Sequence, residues 1–460
     1  MRTHSIPKGI LPAHRALFYD GGWHEPLSGL YTDTVNPCYN EVIMQAPVAD
    51  AADVDAAVRA AHAAFPAWAA TPPVQRGRLL RRAAAILREH APALAQLDAI
   101  NNGNPVSALA HDANFAADCL DYFAGLATEI KGETIPMGDG HFNYTVQEPL
   151  GVIARIVAYN HPLMFAAARL AAPLAAGNTV VVKAPDQAPL SLLRLAELVG
   201  DVFPPGVANF LCGGRDCGDA LGRHPLVRKV TLIGGVPTGK AVMKTAADSL
   251  KPVLLELGGK NALIAYPDAH LPALVDGIIG GMNFTWSGQS CGSTSRVFLH
   301  ESIHDQVLQD VIEQLPRRHR PGIPTDPKTT MGSLVSLAQL QKVEHYVRIG
   351  LEDGGRLVCG GRRPDDPQLK DGFFYEPTVF ADMQPHMRLA REEVFGPILS
   401  VFKWSDEDAL FEAVNDVDFG LTGAIWTRDL VTAHRAVRRI QTGYVLSLIH
   451  ISEPTRPLYI

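Results

Sequence analysis

The sequence is short of charge, of cysteine and of long apolar runs, and each shortage excludes a class of protein. Charged residues make up 19% of the 460, with a formal net charge of −7. A nucleic-acid partner held by neutralised phosphates needs basic runs, and none occurs. The best candidate for a membrane span, Leu163 to Ala176, is too short and is interrupted by Arg169. Met1 to Ile10 has no apolar stretch of the kind found in a secretory signal. The six cysteines are Cys38, Cys119, Cys212, Cys217, Cys291 and Cys359. They show no framework spacing, so reduced thiols in a cytoplasm are expected. Cys212 and Cys217 have no second ligand pair nearby, and no metal site is expected. No repeat of solenoid period is present.

What is there is an ordinary hydrophobic fraction, 47%, on a chain long enough for two or three domains. Residues 51–100 are alanine-rich, with Val54, Ala57, Val58, Ala61 and then Leu79, Leu80, Ala83, Ile86 and Leu87 at helical spacing. They predict helices lying outside a sheet. Residues 131–149 change character, and the alternation from Phe142 to Val146 predicts a strand or hairpin.

From residue 150 strands and helices alternate. Strands are predicted at Gly151–Val157, Thr179–Val182, Val207–Leu211, Val227–Ile233 and Val253–Leu257, with helices at Pro162–Ala176 and Leu190–Phe203 among them. Such alternation implies parallel βαβ units in a doubly wound sheet. Ligands of these sheets sit outside the carboxyl ends of the strands. A second α/β region runs over 258–436, with strands predicted at Arg296–Leu299, Arg356–Cys359, Ile398–Lys403 and Gly423–Thr427.

Six short segments could carry chemistry. Gly288-Gln289-Ser290-Cys291-Gly292-Ser293 puts a thiol on a turn before a strand. A thiolate there is a strong nucleophile, although a single cysteine is more often a small core residue. Leu255-Glu256-Leu257-Gly258-Gly259-Lys260 sets a carboxylate at a strand's end, where it is either a general base or a solvated turn residue. Tyr159-Asn160-His161-Pro162 offers an amide donor for an oxyanion, or simply a turn asparagine before a helix started by Pro162. Lys183-Ala184-Pro185-Asp186 pairs a donor with an acceptor, as ribose hydroxyls require. Gly234-Gly235-Val236-Pro237-Thr238-Gly239 leads from a strand into a helix, where amides and dipole favour phosphate. Glu392-Glu393-Val394-Phe395-Gly396-Pro397 places a carboxylate two residues before an aromatic.

Each segment is ambiguous alone, but all six in this order resemble the aldehyde dehydrogenase superfamily over roughly residues 16–445. The resemblance implies an α/β fold with a doubly wound Rossmann-type cofactor domain (1–130 and 150–257) and an oligomerisation hairpin (131–149). It implies a second α/β catalytic domain (258–436) and the start of a C-terminal return to the cofactor and oligomerisation region (437–445). It implies Cys291 as nucleophile, Glu256 as the base that activates the deacylating water, and Asn160 with the amide of Cys291 as the oxyanion hole. Lys183 and Asp186 match the adenosine-ribose positions. Gly234, Gly235 and Gly239 match the turn beneath the pyrophosphate, and Leu257 is a further cofactor-binding position that the resemblance implies. Glu393 and Phe395 match the positions at the nicotinamide ribose and ring. The implied reaction oxidises a small aldehyde to its acid through a thioester on Cys291, with NAD in preference to NADP, in a homodimer or homotetramer. Acyl transfer to coenzyme A, or a non-catalytic protein on this fold, are the alternatives; Glu256 speaks against the first.

The sequence departs from its relatives in places. Tyr159 and His161 stand where tryptophan and phenylalanine are frequent, which makes the substrate mouth more polar. Arg169 stands where many relatives have a lysine thought to relay protons, and arginine does not lose its proton in a protein. Gly235 removes a serine contact to phosphate. From Leu446 to Arg456 the chain resembles the translation of a sequencing adapter, so 446–460 is expected to be a non-native tail.

Overall fold

The computed structural model describes residues 6–448. The chain divides into two units, the first ending at Leu257 and the second beginning at Gly258.

The first unit opens with β1 (Leu17–Tyr19), β2 (Gly22–His24), β3 (Tyr31–Asn36) and β4 (Glu41–Pro47). Helices α1 (Ala51–Ala70), α2 (Pro73–Glu89), α3 (Ala91–Asn102), α4 (Val106–Leu109) and α5 (Asp112–Leu126) follow. Asp50 starts α1 with a capping box: its carboxylate accepts from the Ala52 and Asp53 amides, and Asp53 answers to the Asp50 amide at 3.1 Å. The short strands β5 (Thr134–Pro136) and β6 (Phe142–Tyr144) then form a separate antiparallel hairpin.

The alternating region comes next: β7 (Val152–Ile156), α6 (Pro162–Ala168), α7 (Ala171–Ala175), β8 (Thr179–Lys183), α8 (Leu190–Val199), β9 (Ala208–Leu211), α9 (Arg215–Arg223), β10 (Val227–Ile233), α10 (Val236–Ala247) and β11 (Val253–Glu256). The segment Pro162–Ala176, expected as one helix, is two short helices parted at Arg169–Leu170. The expected helix to Phe203 stops at Val199 and tightens into a 3-10 turn.

These strands form one sheet in the order β11-β10-β7-β8-β9-β1-β2. From β11 to β9 all neighbours are parallel, which lines up their carboxyl ends along one edge. The chain winds from β7 outward through β8 and β9, then restarts at β10 on the other side of β7. The switch point between β7 and β10 is where such sheets open a crevice for ligand. Alternate residues of β7 explain the layers. Val152, Ala154 and Ile156 pack with α1 and α9, while Ile153 packs with α2, α5 and α8.

The second unit contains β12 (Ala262–Ala265), α11 (Leu271–Gly281), β13 (Arg296–His300), α12 (Glu301–Arg318), α13 (Leu337–Glu352), β14 (Arg356–Cys359), β15 (Thr378–Ala381) and α14 (Arg388–Arg391). It closes with β16 (Ile398–Trp404), α15 (Glu407–Asn415), β17 (Thr422–Trp426), α16 (Leu430–Arg439) and β18 (Tyr444–Leu448). Its sheet runs β14-β15-β16-β13-β12-β17-β18, parallel except for β14. Leu263, Val297, Leu399 and Val401 fill the core beneath α11 and α12.

Residues 437–445, expected as the start of a C-terminal return to the cofactor and oligomerisation region, finish α16 and enter β18, whose Tyr444 and Val445 pair in parallel with Thr422 and Gly423 of β17. The expected non-native tail supplies the end of that strand, Leu446 to Leu448, and beyond it lies outside the described residues. Among the described residues, no helix is long and apolar enough to cross a membrane.

Candidate active site

In the first unit the candidate residues gather at the carboxyl edge of the sheet. After β7 the chain turns through Tyr159, Asn160 and His161 into α6, and Asn160 is buried. After β8 come Lys183 and Asp186, whose side chains bond each other at 2.6 Å; Lys183 also donates to the Ala184 carbonyl at 3.0 Å. Both line a cleft of about 370 Å³ together with Ile156, Arg215, Pro237 and Thr238.

After β10, Gly235 caps α10 and Pro237 sits in its first turn. The Gly234 amide donates to the Glu256 carbonyl at 3.0 Å, which ties the turn to the end of β11. A Cβ on Gly239 would lie 2.8 Å from a methyl of Leu257, so glycine lets the helix close on that side chain. Open helix amides, a lysine and a carboxylate on one cleft fit the phosphate, base and ribose of a nucleotide. Glu256 ends β11, half-buried and in register with Ile233.

In the second unit the candidate segments stand at the other end of the strands. Gly258–Asn261 enters β12, Cys291–Ser295 enters β13, and Glu393–Pro397 enters β16, all at amino ends. The candidate segments therefore stand at carboxyl ends in the first sheet and at amino ends in the second.

These segments interlock through main chain. The Gly259 amide donates to Glu393 Oε1 at 2.9 Å, and a Cβ on Gly258 would overlap that carboxylate. The Asn261 amide donates to the carbonyls of Cys291 at 2.7 Å and Ser293 at 3.0 Å, while its oxygen accepts from the Thr422 amide. Gln339 on α13 donates to the carbonyls of Phe395 and Val394 at 2.8 and 3.1 Å. That grip holds Phe395 at φ 56°, a left-handed conformation rare for an aromatic residue. Gly288 also has positive φ and packs on the Gly396 carbonyl with no room for a side chain.

Burial raises the pKa of Glu393, opposed by its Gly259 bond and by Lys342 and Lys260. Burial also holds Lys260 down to about 7 and lowers Lys342. One amide bonds this carboxylate, and the charges of two lysines favour its ionised form. Asn261, Gln339 and Lys342 were not singled out by sequence reading. Their partners lie tens of residues away, and no local pattern marks them.

Cys291 is half-buried on its loop. Burial pushes the thiols of Cys38, Cys212 and Cys217 up to about 12, which makes them poor nucleophiles. Among the described residues no group of three or more His, Cys, Asp or Glu is arranged to hold a metal ion. Of the aromatics near the motifs, Phe284 belongs to the core, whereas Phe165 and Trp286 are half-buried.

The cost of filling a glycine joint can be measured. Gly259→Ala would bring a Cβ within 2.6 Å of the Cys291 carbonyl oxygen. Urea unfolding should show a loss of about 1–3 kcal/mol, with activity falling alongside. Unchanged stability and activity would mean that the loop has slack.

Comparison with known proteins agrees with this geometry. Residues 23–450 match the aldehyde dehydrogenase family. The chain is 54% identical to aldehyde dehydrogenase tropH of Talaromyces stipitatus, over 95% of this chain and 86% of that protein. It is 41% identical to betaine aldehyde dehydrogenase of Mesorhizobium japonicum, over 93% and 87%. PnpE from Pseudomonas sp. WBC-3 superimposes with a TM-score of 0.92 at 39% identity, covering 96% of this chain and 90% of that one. PnpE has also been solved in complex with nicotinamide adenine dinucleotide. With the motifs in order and the fold matched across nearly its whole length, the chain belongs to the aldehyde dehydrogenase family and oxidises aldehydes to carboxylic acids with a nicotinamide cofactor.

Proposed function

We propose that Cys291, Glu256 and Asn160 act together in a hydrolytic aldehyde dehydrogenase that uses NAD. The observation that carries this reading is the segment Gly258–Asn261, which grips both the Cys291 carbonyl and the Glu393 carboxylate. Glu256 precedes Gly259 by three residues, so their Cα atoms are at most about 11 Å apart whatever the loop does. That covalent tether supports the reading of Glu256 as a partner of Cys291.

The Cys291 sulfur adds to the aldehyde carbon, forming a C–S bond and an oxyanion. The Asn160 side-chain amide and the Cys291 backbone amide donate to that oxygen. A nicotinamide cofactor held by this site would accept the hydride that the same carbon loses, leaving a thioester on Cys291. Glu256 then takes a proton from water as its oxygen attacks the thioester carbon. The C–S bond breaks, the acid leaves, and the thiolate returns. Glu393, held by Gly259, orients the nicotinamide ribose, with Phe395 beside the ring. Gly234, Gly235 and Gly239 bring the first turn of α10 close to the pyrophosphate, and Leu257 packs against Gly239.

Lys183 and Asp186 take the adenosine ribose, and a carboxylate there repels a 2′-phosphate. At 4 Å that repulsion is about 4 kcal/mol at an effective dielectric of 20, and water around the half-exposed Asp186 reduces it. Arg215 on the same cleft favours the second reading, NADP. Kinetics with both cofactors decide between them. NAD should be preferred, and Asp186→Ala should raise kcat/KM for NADP relative to NAD by about tenfold. A wild-type preference for NADP would overturn the assignment. Acid formed without coenzyme A would separate hydrolysis from acyl transfer.

The hairpin of β5 and β6 leaves Phe142, Tyr144 and Val146 exposed. Such a patch supports a homo-oligomer formed through it. The reactive thiol suits a reducing cytoplasm.

A further inference from the structure

The turn bearing Asn160 is held from a distant loop. Helix α3 ends at Gly103, whose φ of 86° turns the chain so that Asn104 points inward, only 1% exposed. Asn104 Nδ2 donates to the Asn160 carbonyl at 2.9 Å. The Asn104 amide is fixed in turn by Asn102 Oδ1 at 2.8 Å, and Asn102 Nδ2 reaches the carbonyls of Tyr159 and Asn160 at 3.5 Å. On the far side, His161 Nδ1 bonds Asp112 Oδ2 at 2.9 Å. The peptide groups flanking Asn160 are thus gripped before and after the residue.

The other end of the Asn104 amide is informative. Its Oδ1 is buried and accepts no hydrogen bond. An unsatisfied buried oxygen is costly, and here that cost is borne while the N–H end stays bonded. What the residue supplies is its N–H, and that N–H is directed at the Asn160 carbonyl.

We propose that Asn104 is a positioning residue for the reaction: by pinning the Asn160 carbonyl it fixes the plane of that peptide and so the direction of the Asn160 side-chain amide. This rests on the reading of Asn160 as an oxyanion donor. Asn104 acts through Asn160 in this reading, by the bond from its Nδ2 to the Asn160 carbonyl.

The test is a double-mutant cycle on the full chain, with NAD and a reactive aldehyde, using Asn104→Leu, Asn160→Ala and both together. Asn104→Leu should lower kcat about tenfold and leave KM for NAD unchanged, since misplacing a reacting group by 1 Å can cost up to about 10²-fold. Added to Asn160→Ala it should have no further effect, because the group it positions is gone. An unchanged kcat in Asn104→Leu, or losses that multiply in the double variant, would overturn the proposal. If Asn160→Ala alone keeps full kcat, the oxyanion reading fails first and the proposal falls with it. Asn104→Ala, checked by Tm, serves if the leucine variant does not fold.

Discussion

Cys291→Ala should abolish NADH formation from any aldehyde, lowering kcat by at least about 10⁴-fold while the protein still binds cofactor. No other thiol stands ready to replace it. Cys38, Cys212 and Cys217 are buried, with their thiols pushed up to about 12. Burial also raises Cys119 and Cys359, and the Cys359 thiol is turned toward the Pro377 carbonyl at 3.7 Å. Stopped-flow absorbance at the NADH band, with cofactor binding followed separately, gives the result. Turnover above a hundredth of wild type would remove Cys291 as the nucleophile.

Glu256→Gln should separate the two halves of the reaction. Attack and hydride loss precede the step assigned to this carboxylate, so one NADH per active site should still appear in a burst. Steady turnover should then fall by about 10²–10⁴-fold, the usual contribution of a general base. The thioester should accumulate, visible as the mass of an acyl group on the peptide that contains Cys291. Loss of the burst would move Glu256 to an earlier step. An unchanged steady rate would show that another group activates water.

Much of this was legible in the sequence because parallel strands write themselves as short apolar runs. Val152–Ile156 and Thr179–Lys183 are buried at every position, and their β-branched composition marked them. The six motifs were visible because glycine and proline punctuate the turns that carry them. Helix continuity was less legible. Pro162 to Ala176 reads as one helix, but Pro173 has no N–H for the Arg169 carbonyl and its ring crowds that residue, so the chain breaks at Arg169–Leu170. That the Cys291 turn stands at the amino end of a strand was readable, since it precedes Arg296–His300 in the chain, but which strands lie beside it was not, since strand order joins neighbours far apart in sequence. The supports were hidden for the same reason. Asn261, Gln339 and Asn104 act on carbonyls 30, 56 and 56 residues away. A buried amide looks like any other polar residue until its partner is known.

The glycine pair at 258 and 259 has a wider meaning for how such an enzyme diversifies. Its contacts are made by backbone, so they owe nothing to which side chains surround the aldehyde. The walls of a pocket can be redrawn residue by residue to suit a new molecule while the loop that carries Cys291 keeps its joint. Novel tastes can be acquired at the periphery, and the bare peptide at 258 and 259 is the part that leaves no room for decoration.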